Sequence, residues 1–231
     1  MPRIARPRAV LLDFYGTIVQ EDDVPIAEIC AQIAQAAKRT TTVSEVRRYW
    51  GRAFAQLCAD SFGLAFQSQK RIEQLSLAQV LDHFGINLDG EALSQVLYRY
   101  WAGPTIFPES KRVLEQCDVP LCLVSNIDYA ELQSALRHNG LHFDRVVTSE
   151  GCRAYKPRPE MFERALALLG MPSDQVIHVG DSLGSDVRGA KAMNIPVLWI
   201  NRKERPAPGG ELEPDYVAAD LTGLLDVLER V

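Results

Sequence analysis

Residues able to do chemistry recur at the ends of apolar runs in this chain. Ala9-Val10-Leu11-Leu12 stops at Asp13, followed at once by Phe14-Tyr15-Gly16-Thr17. The run from Pro120 ends in Ser125-Asn126, and the run from Gln175 to Val179 ends in Gly180-Asp181, with Asp186 a little further on. Lys156 stands just ahead of Pro157-Arg158-Pro159. A carboxylate can act as a nucleophile, and a fixed lysine can hold negative charge on a reacting group. Each residue also has a plain structural reading when taken alone. Asp13 with Gly16 reads as a strand-end turn. Asp181 suits the first turn of a helix, Ser125 can cap the helix after it, and Asp186 and Lys156 read as solvated surface.

The elements that position these residues bring them together. Continuous apolar runs of four or five residues predict strands buried on both faces. From Pro108 onward such runs alternate with helices: Glu109–Gln116, Tyr129–Asn139, Glu160–Leu169, Leu183–Met193 and Leu221–Glu229. Strands are expected at 9–12, 120–125, 145–148, 175–179, 196–200 and 215–217. This alternation predicts an α/β fold with a Rossmann-like, doubly wound parallel sheet. In such a sheet the carboxyl ends of the strands share one crevice, so Asp13, Ser125-Asn126 and Asp181 converge there. Residues 18–102 break the alternation. Helices are expected over Ile26–Lys38, from Ser44 (read as the N-cap) to Asp60, over Gln69–Phe84 and over Leu88–Trp101. This block reads as an inserted α-helical cap domain, with residues 1–17 and 103–231 forming the α/β core.

Taken in order, Asp13-x-Tyr15-Gly16-Thr17, Ser125-Asn126, Lys156-Pro157 and Gly180-Asp181-Ser182-Leu183-Gly184-Ser185-Asp186 resemble the four motifs of the haloacid dehalogenase (HAD)-like hydrolase superfamily. The resemblance spans essentially the whole chain, and the helical block stands where many members insert a cap after the first motif. It implies that Asp13 is the nucleophile and that Lys156 clamps negative charge. Ser125 and Asn126 would offer a hydroxyl and an amide to the substrate. It also implies a Mg²⁺ site made by the carboxylates of Asp13, Asp181 and Asp186 and the backbone carbonyl of Tyr15. Hard cations prefer such oxygen ligands.

One position departs from the phosphatases of that superfamily. They carry a second aspartate two residues after the nucleophile, where this chain has Tyr15. A phenol, with an unperturbed pKa near 10, is a poor proton donor and acceptor for both halves of such a reaction. Haloacid dehalogenases resemble this chain there, since halide leaves without a proton, but they lack the first aspartate of the Gly-Asp fourth motif. The leading expectation is therefore a Mg²⁺-dependent phosphatase of a small phosphorylated metabolite. The alternatives are a metal-independent 2-haloacid dehalogenase and a catalytically weak binding or regulatory protein. Arg52 and Trp50, near the place of a dehalogenase's substrate-binding arginine, read as one face of a helix.

Composition narrows the remaining classes. A net charge of −5 without a basic patch argues against a nucleic-acid partner, so a small-molecule substrate is expected. No run approaches the roughly 18 apolar residues of a membrane span, and the N-terminal residues leave no room for a secretory signal, which predicts a cytoplasmic protein. The five cysteines form no Cys-x-x-Cys pair, and the four histidines, His178 among them, show no metal-ligand spacing. No oligomeric state follows from the sequence.

Overall fold

The structure, a computed structural model, describes residues 6–37 and 40–229. Residues 1–5, 38–39 and 230–231 of the expected domains, including the end of the first expected helix at Lys38, lie outside the described residues. The strands are β1 (Ala9–Leu12), β2 (Leu121–Ser125), β3 (Val146–Thr148), β4 (Val176–Gly180), β5 (Val197–Ile200) and β6 (Tyr216–Ala218). The helices are α1 (Asp23–Ala36), α2 (Val43–Asp60), α3 (Gln69–Phe84), α4 (Gly90–Ala102), α5 (Ser110–Gln116), α6 (Tyr129–Asn139), α7 (Ser149–Cys152), α8 (Pro159–Leu169), α9 (Arg188–Ala192) and α10 (Gly223–Glu229). Two compact units result. One comprises Met1–Gln20, Thr105–Asn126 and His142–Val231, and the other Glu21–Pro104 and Ile127–Leu141.

The first unit is the doubly wound parallel sheet, in the order β3-β2-β1-β4-β5-β6. The chain winds outward from β1 in both directions, so β1 marks the switch point at which crevices open beyond the strand ends. Leu12, the last residue of β1, pairs with Leu123 on one side and Val179 on the other. Successive strand residues face opposite sides of a sheet. Ala9 and Leu11 join Cys122, Val124, Val176 and Trp199 in a core with Met161 and Phe162 of α8. Their neighbours Val10 and Leu12 are equally buried. Burial on both faces is why these strands are continuous apolar runs rather than alternating ones.

The second unit is helical. α2 starts two residues earlier than Ser44 would have it. Thr42 is the N-cap: its Oγ1 accepts from Glu45 N at 3.2 Å, while Glu45 Oε2 accepts from Thr42 N at 2.7 Å. That reciprocal pair needs Glu three residues after the cap, which only Thr42 has. Trp50 is buried in α2 and donates from Nε1 to Ser76 Oγ of α3 at 2.9 Å. Arg52 is exposed on the same helix. Asp128, just before α6, accepts from the amides of Gln69 and Lys70 at 2.8 and 3.1 Å and so satisfies the amino-terminal end of α3. This tie helps to explain why Ile127–Leu141 groups with the helical unit. Among the described residues, no helix is long and apolar enough to cross a membrane.

Candidate active site

β1 delivers Asp13 to the carboxyl edge of the sheet, where its amide still donates to Val179 O at 2.9 Å. A tight turn follows. The amides of Ile18 and Val19 donate to Phe14 O at 2.8 and 3.1 Å, and Thr17 Oγ1 donates to Asp13 Oδ2 at 3.3 Å. Gly16 holds φ +82°, and a Cβ there would lie 2.5 Å from Asp181 Cγ. Only glycine permits both the backbone angle and the close approach of the Asp181 carboxylate. Tyr15 is half-buried, with its ring edge-on to Phe14 at 5.0 Å.

Lys156 reaches this edge from the segment ahead of α8. Its Nζ donates to Asp13 Oδ1 at 2.7 Å, Asp186 Oδ1 at 2.6 Å and Val124 O at 2.8 Å, so all three ammonium donors are matched. Asn126 fixes the lysine's main chain. Its Oδ1 accepts from Lys156 N at 2.8 Å, and its Nδ2 donates to Lys156 O at 3.2 Å. The side chain expected to address the substrate is thus engaged in placing Lys156. Ser125 lies buried at the end of β2.

Asp181 and Asp186 follow β4. A single π-turn, Leu183–Val187, opens the segment expected as one helix from Leu183 and runs on into α9. Such turns are frequent at functional sites, and this one bears the buried Asp186. Asp186 Oδ2 accepts from Ser182 N at 3.0 Å. A Cβ on Gly180 would lie 2.3 Å from Asp186 Cγ, so the glycine again makes room for a carboxylate. The carbonyl of Asp181 is held by Trp199 Nε1 at 2.8 Å and Arg205 Nη2 at 2.7 Å.

Sequence reasoning passed over His178. It lies on β4, fully buried, and its Nε2 donates to Asp186 Oδ1 at 2.9 Å, since an ionised carboxylate can only accept. The signal was present: a polar residue inside an apolar strand, two positions before Gly180. Among the described residues its Nδ1 has no hydrogen-bond partner.

Burial and charge set the ionisation of the cluster. Burial raises the Asp13 carboxyl to about 7, against the pull of Lys156. Burial also works to raise Asp186, but the Lys156 charge and the His178 hydrogen bond outweigh it and hold this carboxyl well below the usual range. Burial would lower Lys156, yet the two carboxylates keep it above the ordinary lysine range. Burial lowers His178 and keeps its imidazole neutral.

Asp13, Asp181 and Asp186 each present an oxygen within 4.8 Å of the others. Lys156 bonds to Asp13 and Asp186 through one oxygen of each. A hard divalent cation prefers such oxygens, and the donor set fits Mg²⁺.

Residues 7–194 match a family model described as a hydrolase, the haloacid dehalogenase-like hydrolase. Over 142 residues the chain is 32% identical to the haloacid dehalogenase-like hydrolase domain-containing protein 3 of Danio rerio, covering 58% of each. The chain thus spans a little over half the length of that relative. The (S)-2-haloacid dehalogenase of Pseudomonas putida is 21% identical over 222 residues, 93% of each chain. Among solved structures, the L-2-haloacid dehalogenase RSc1362 shares the fold with a TM-score of 0.80 at 24% identity, covering 96% of this chain and 99% of that one.

Proposed function

The chain belongs to the haloacid dehalogenase-like hydrolases, and from that premise we propose that it is a 2-haloacid dehalogenase working through an ester on Asp13. The observation that carries this reading is Tyr15, a phenol two residues after the nucleophile where a phosphatase places its acid. Displacement of halide needs no proton donor, so the phenol is no handicap. Of the two activities expected from the sequence, phosphatase first and dehalogenase second, the relative spanning nearly the full chain favours the second.

Asp13 Oδ1 is tied to Lys156 at 2.7 Å, whereas Oδ2 takes the longer bond from Thr17 at 3.3 Å. Oδ2 is therefore the attacking oxygen. It bonds to C2 of the substrate as the carbon–halogen bond breaks, and the halide leaves with the electron pair. Water then adds to the ester carbon, Asp13 Cγ. Negative charge grows on Oδ1, where the Lys156 ammonium already sits to stabilise it. Asp186 is the poorer base for that water, because Lys156 and His178 hold its pKa down. Asp181 takes the proton and returns it to the departing alkoxide. The products are the 2-hydroxy acid and a regenerated Asp13 carboxylate, its proton passing to solvent.

A second reading, a Mg²⁺-dependent phosphomonoesterase, is favoured by the three clustered carboxylates. Asp13, Asp181 and Asp186 would hold the ion, which would supply charge neutralisation at a bound phosphoryl group. A halide and phosphate release assay separates the two readings, with (S)-2-chloropropionate and p-nitrophenyl phosphate, each in EDTA and in Mg²⁺, and Asp13→Asn as control. Halide release that survives EDTA and needs Asp13 is expected. Phosphate release that needs Mg²⁺, without halide release, would transfer the assignment to the second reading. Asp181→Asn adds a finer test of the first: halide appears as a single-turnover burst while the protein keeps the mass of the ester. Steady turnover by that variant would remove Asp181 from its role as base.

A further inference from the structure

The loop after β5 carries two arginines that no motif accounts for, and each holds the main chain of a turn bearing a site carboxylate. Arg202 donates from Nη2 to Thr17 O at 2.9 Å and from Nε to Gly16 O at 3.3 Å. Its guanidinium also donates to Glu109 Oε1 at 2.6 Å and lies over the Phe107 ring, 3.4 Å from the centroid. Arg205 donates from Nη2 to Asp181 O at 2.7 Å. Asn201 ties the loop to itself, with Nδ2 donating to Arg205 O at 2.7 Å and Oδ1 accepting from Arg205 N at 2.9 Å. The two arginines therefore act from one internally fixed base.

The far end of the turn that Arg202 holds is tied separately: Phe107 N and Ser110 Oγ donate to Ile18 O at 3.1 and 2.8 Å, and Gln20 N donates to Thr105 O at 2.8 Å. The Gly16 and Thr17 carbonyls, past the end of β1, are the ones that Arg202 takes. Gly16 also packs against the Asp181 carboxylate with no room for a Cβ, so a small shift of either turn moves both carboxylates. Arg202 is well suited to such a task. Its planar fork reaches two carbonyls at once, and Glu109 with the Phe107 face fixes the guanidinium plane. A lysine would keep the charge and lose the fork.

We propose that Arg202 is a positioning residue of the reaction: by holding the Gly16 and Thr17 carbonyls it fixes the angle at which Asp13 meets the substrate, while Arg205 does the same for Asp181. The catalytic part of this proposal rests on Asp13 being the nucleophile. Displacing a reacting group by about 1 Å costs on the order of 10²-fold in rate. Arg202→Gln is accordingly expected to lower kcat about 10–100-fold with KM nearly unchanged. Arg202→Lys should recover only part of that loss, and guanidinium ion added to Arg202→Ala should restore turnover.

A second measurement does not depend on any activity. In Arg202→Gln, amide hydrogen exchange should speed by about tenfold or more at Ile18 and Val19, which close the turn, while the amides of β4 keep their protection. A kcat within about twofold of wild type would overturn the proposal. So would a loss of rate that simply follows the fraction unfolded, or unchanged exchange at Ile18 and Val19. If wild type turns over neither substrate, the nucleophile reading fails on its own. The exchange comparison then decides whether Arg202 braces the turn.

Discussion

Lys156 bonds to two buried carboxylates, and replacing it with methionine tests how that cluster is balanced. Met has similar length and no charge, so Lys156→Met removes the donors to Asp13 Oδ1, Asp186 Oδ1 and Val124 O with little change in packing. The lysine side chain is 1% exposed, and the carboxylates it joins are 9% and 2% exposed. Solvent therefore cannot replace it. Removing one partner of a buried ion pair costs about 3–5 kcal/mol, because the other charge remains without compensation. The loss depends on pH with a definite sign. Asp186 is depressed in the folded protein, so its contribution is present above the unfolded value near 3.9 and is lost as pH falls through its folded value. In the variant that depression goes, and Asp13, already raised to about 7, rises further. A raised carboxyl lowers stability as pH climbs from its unfolded value to its folded one. The stability gap between wild type and variant is thus widest near pH 8 and narrows toward pH 4. Urea unfolding followed by circular dichroism at pH 8, 6 and 4 measures it. A gap below about 1 kcal/mol at pH 8 would refute this account of a coupled buried cluster, as would a gap that does not change with pH.

Two other predictions follow from close approach and from burial. Gly16→Ala places a methyl 2.5 Å from Asp181 Cγ at a φ of +82° and should destabilise the fold by about 1–3 kcal/mol and suppress turnover; Gly184→Ala, with nothing near its Cβ, should leave the thermal midpoint unchanged. In the helical unit, Glu73 is buried and raised by that burial, although Ser94 and Tyr98 donate to it at 3.0 and 2.8 Å. Its effect on stability therefore worsens as pH rises above its unfolded value, and Glu73→Gln should gain stability relative to wild type as pH rises above that value in denaturant titrations; a difference that stays flat with pH would count against it.

The fold was largely legible because its cause is local. A strand buried on both faces must be apolar throughout, so β1 and β4 stand out as runs, and the polar residues that end them mark the sheet edge. α3 was legible to the residue, since Gly85 stops it in the left-handed conformation that only glycine enters cheaply. The start of α2 was less so. Thr42 and Ser44 are both good caps, and the choice turns on Glu45 lying three residues after Thr42. The grouping of α6 with the helical unit depends on Asp128 meeting α3 across 59 positions of sequence, and no local pattern records that. The same holds at the site. Asp13, Lys156 and Asp186 were legible as motif residues, whereas His178 looked like a histidine without a partner. Arg202 and Arg205 belong to no motif, because what they hold is main chain, which leaves no pattern in the sequence.

Charge balance explains why these carboxylates differ in their work. Lys156 and His178 share Asp186, which keeps it ionised and weakly basic, so it serves to hold the lysine. Asp13 meets the lysine through one oxygen and accepts from Thr17 through the other, the oxygen proposed to attack. Where its carboxylates are ionised, the cluster repels an anionic substrate until something offsets it. On the second reading, a divalent ion held by Asp13, Asp181 and Asp186 would supply that offset for a phosphate. On the first, forming the ester removes the Asp13 charge itself, so one negative charge disappears at the step that releases halide. Lys156 is then left facing the ester carbonyl oxygen, where charge next develops. A singly charged substrate asks less of the cluster than a doubly charged one, and among the described residues Lys156 is the only lysine or arginine bonded to an Asp13 oxygen. Tyr15 and the lower charge of a haloacid support the first reading, while the clustered carboxylates are what support the second.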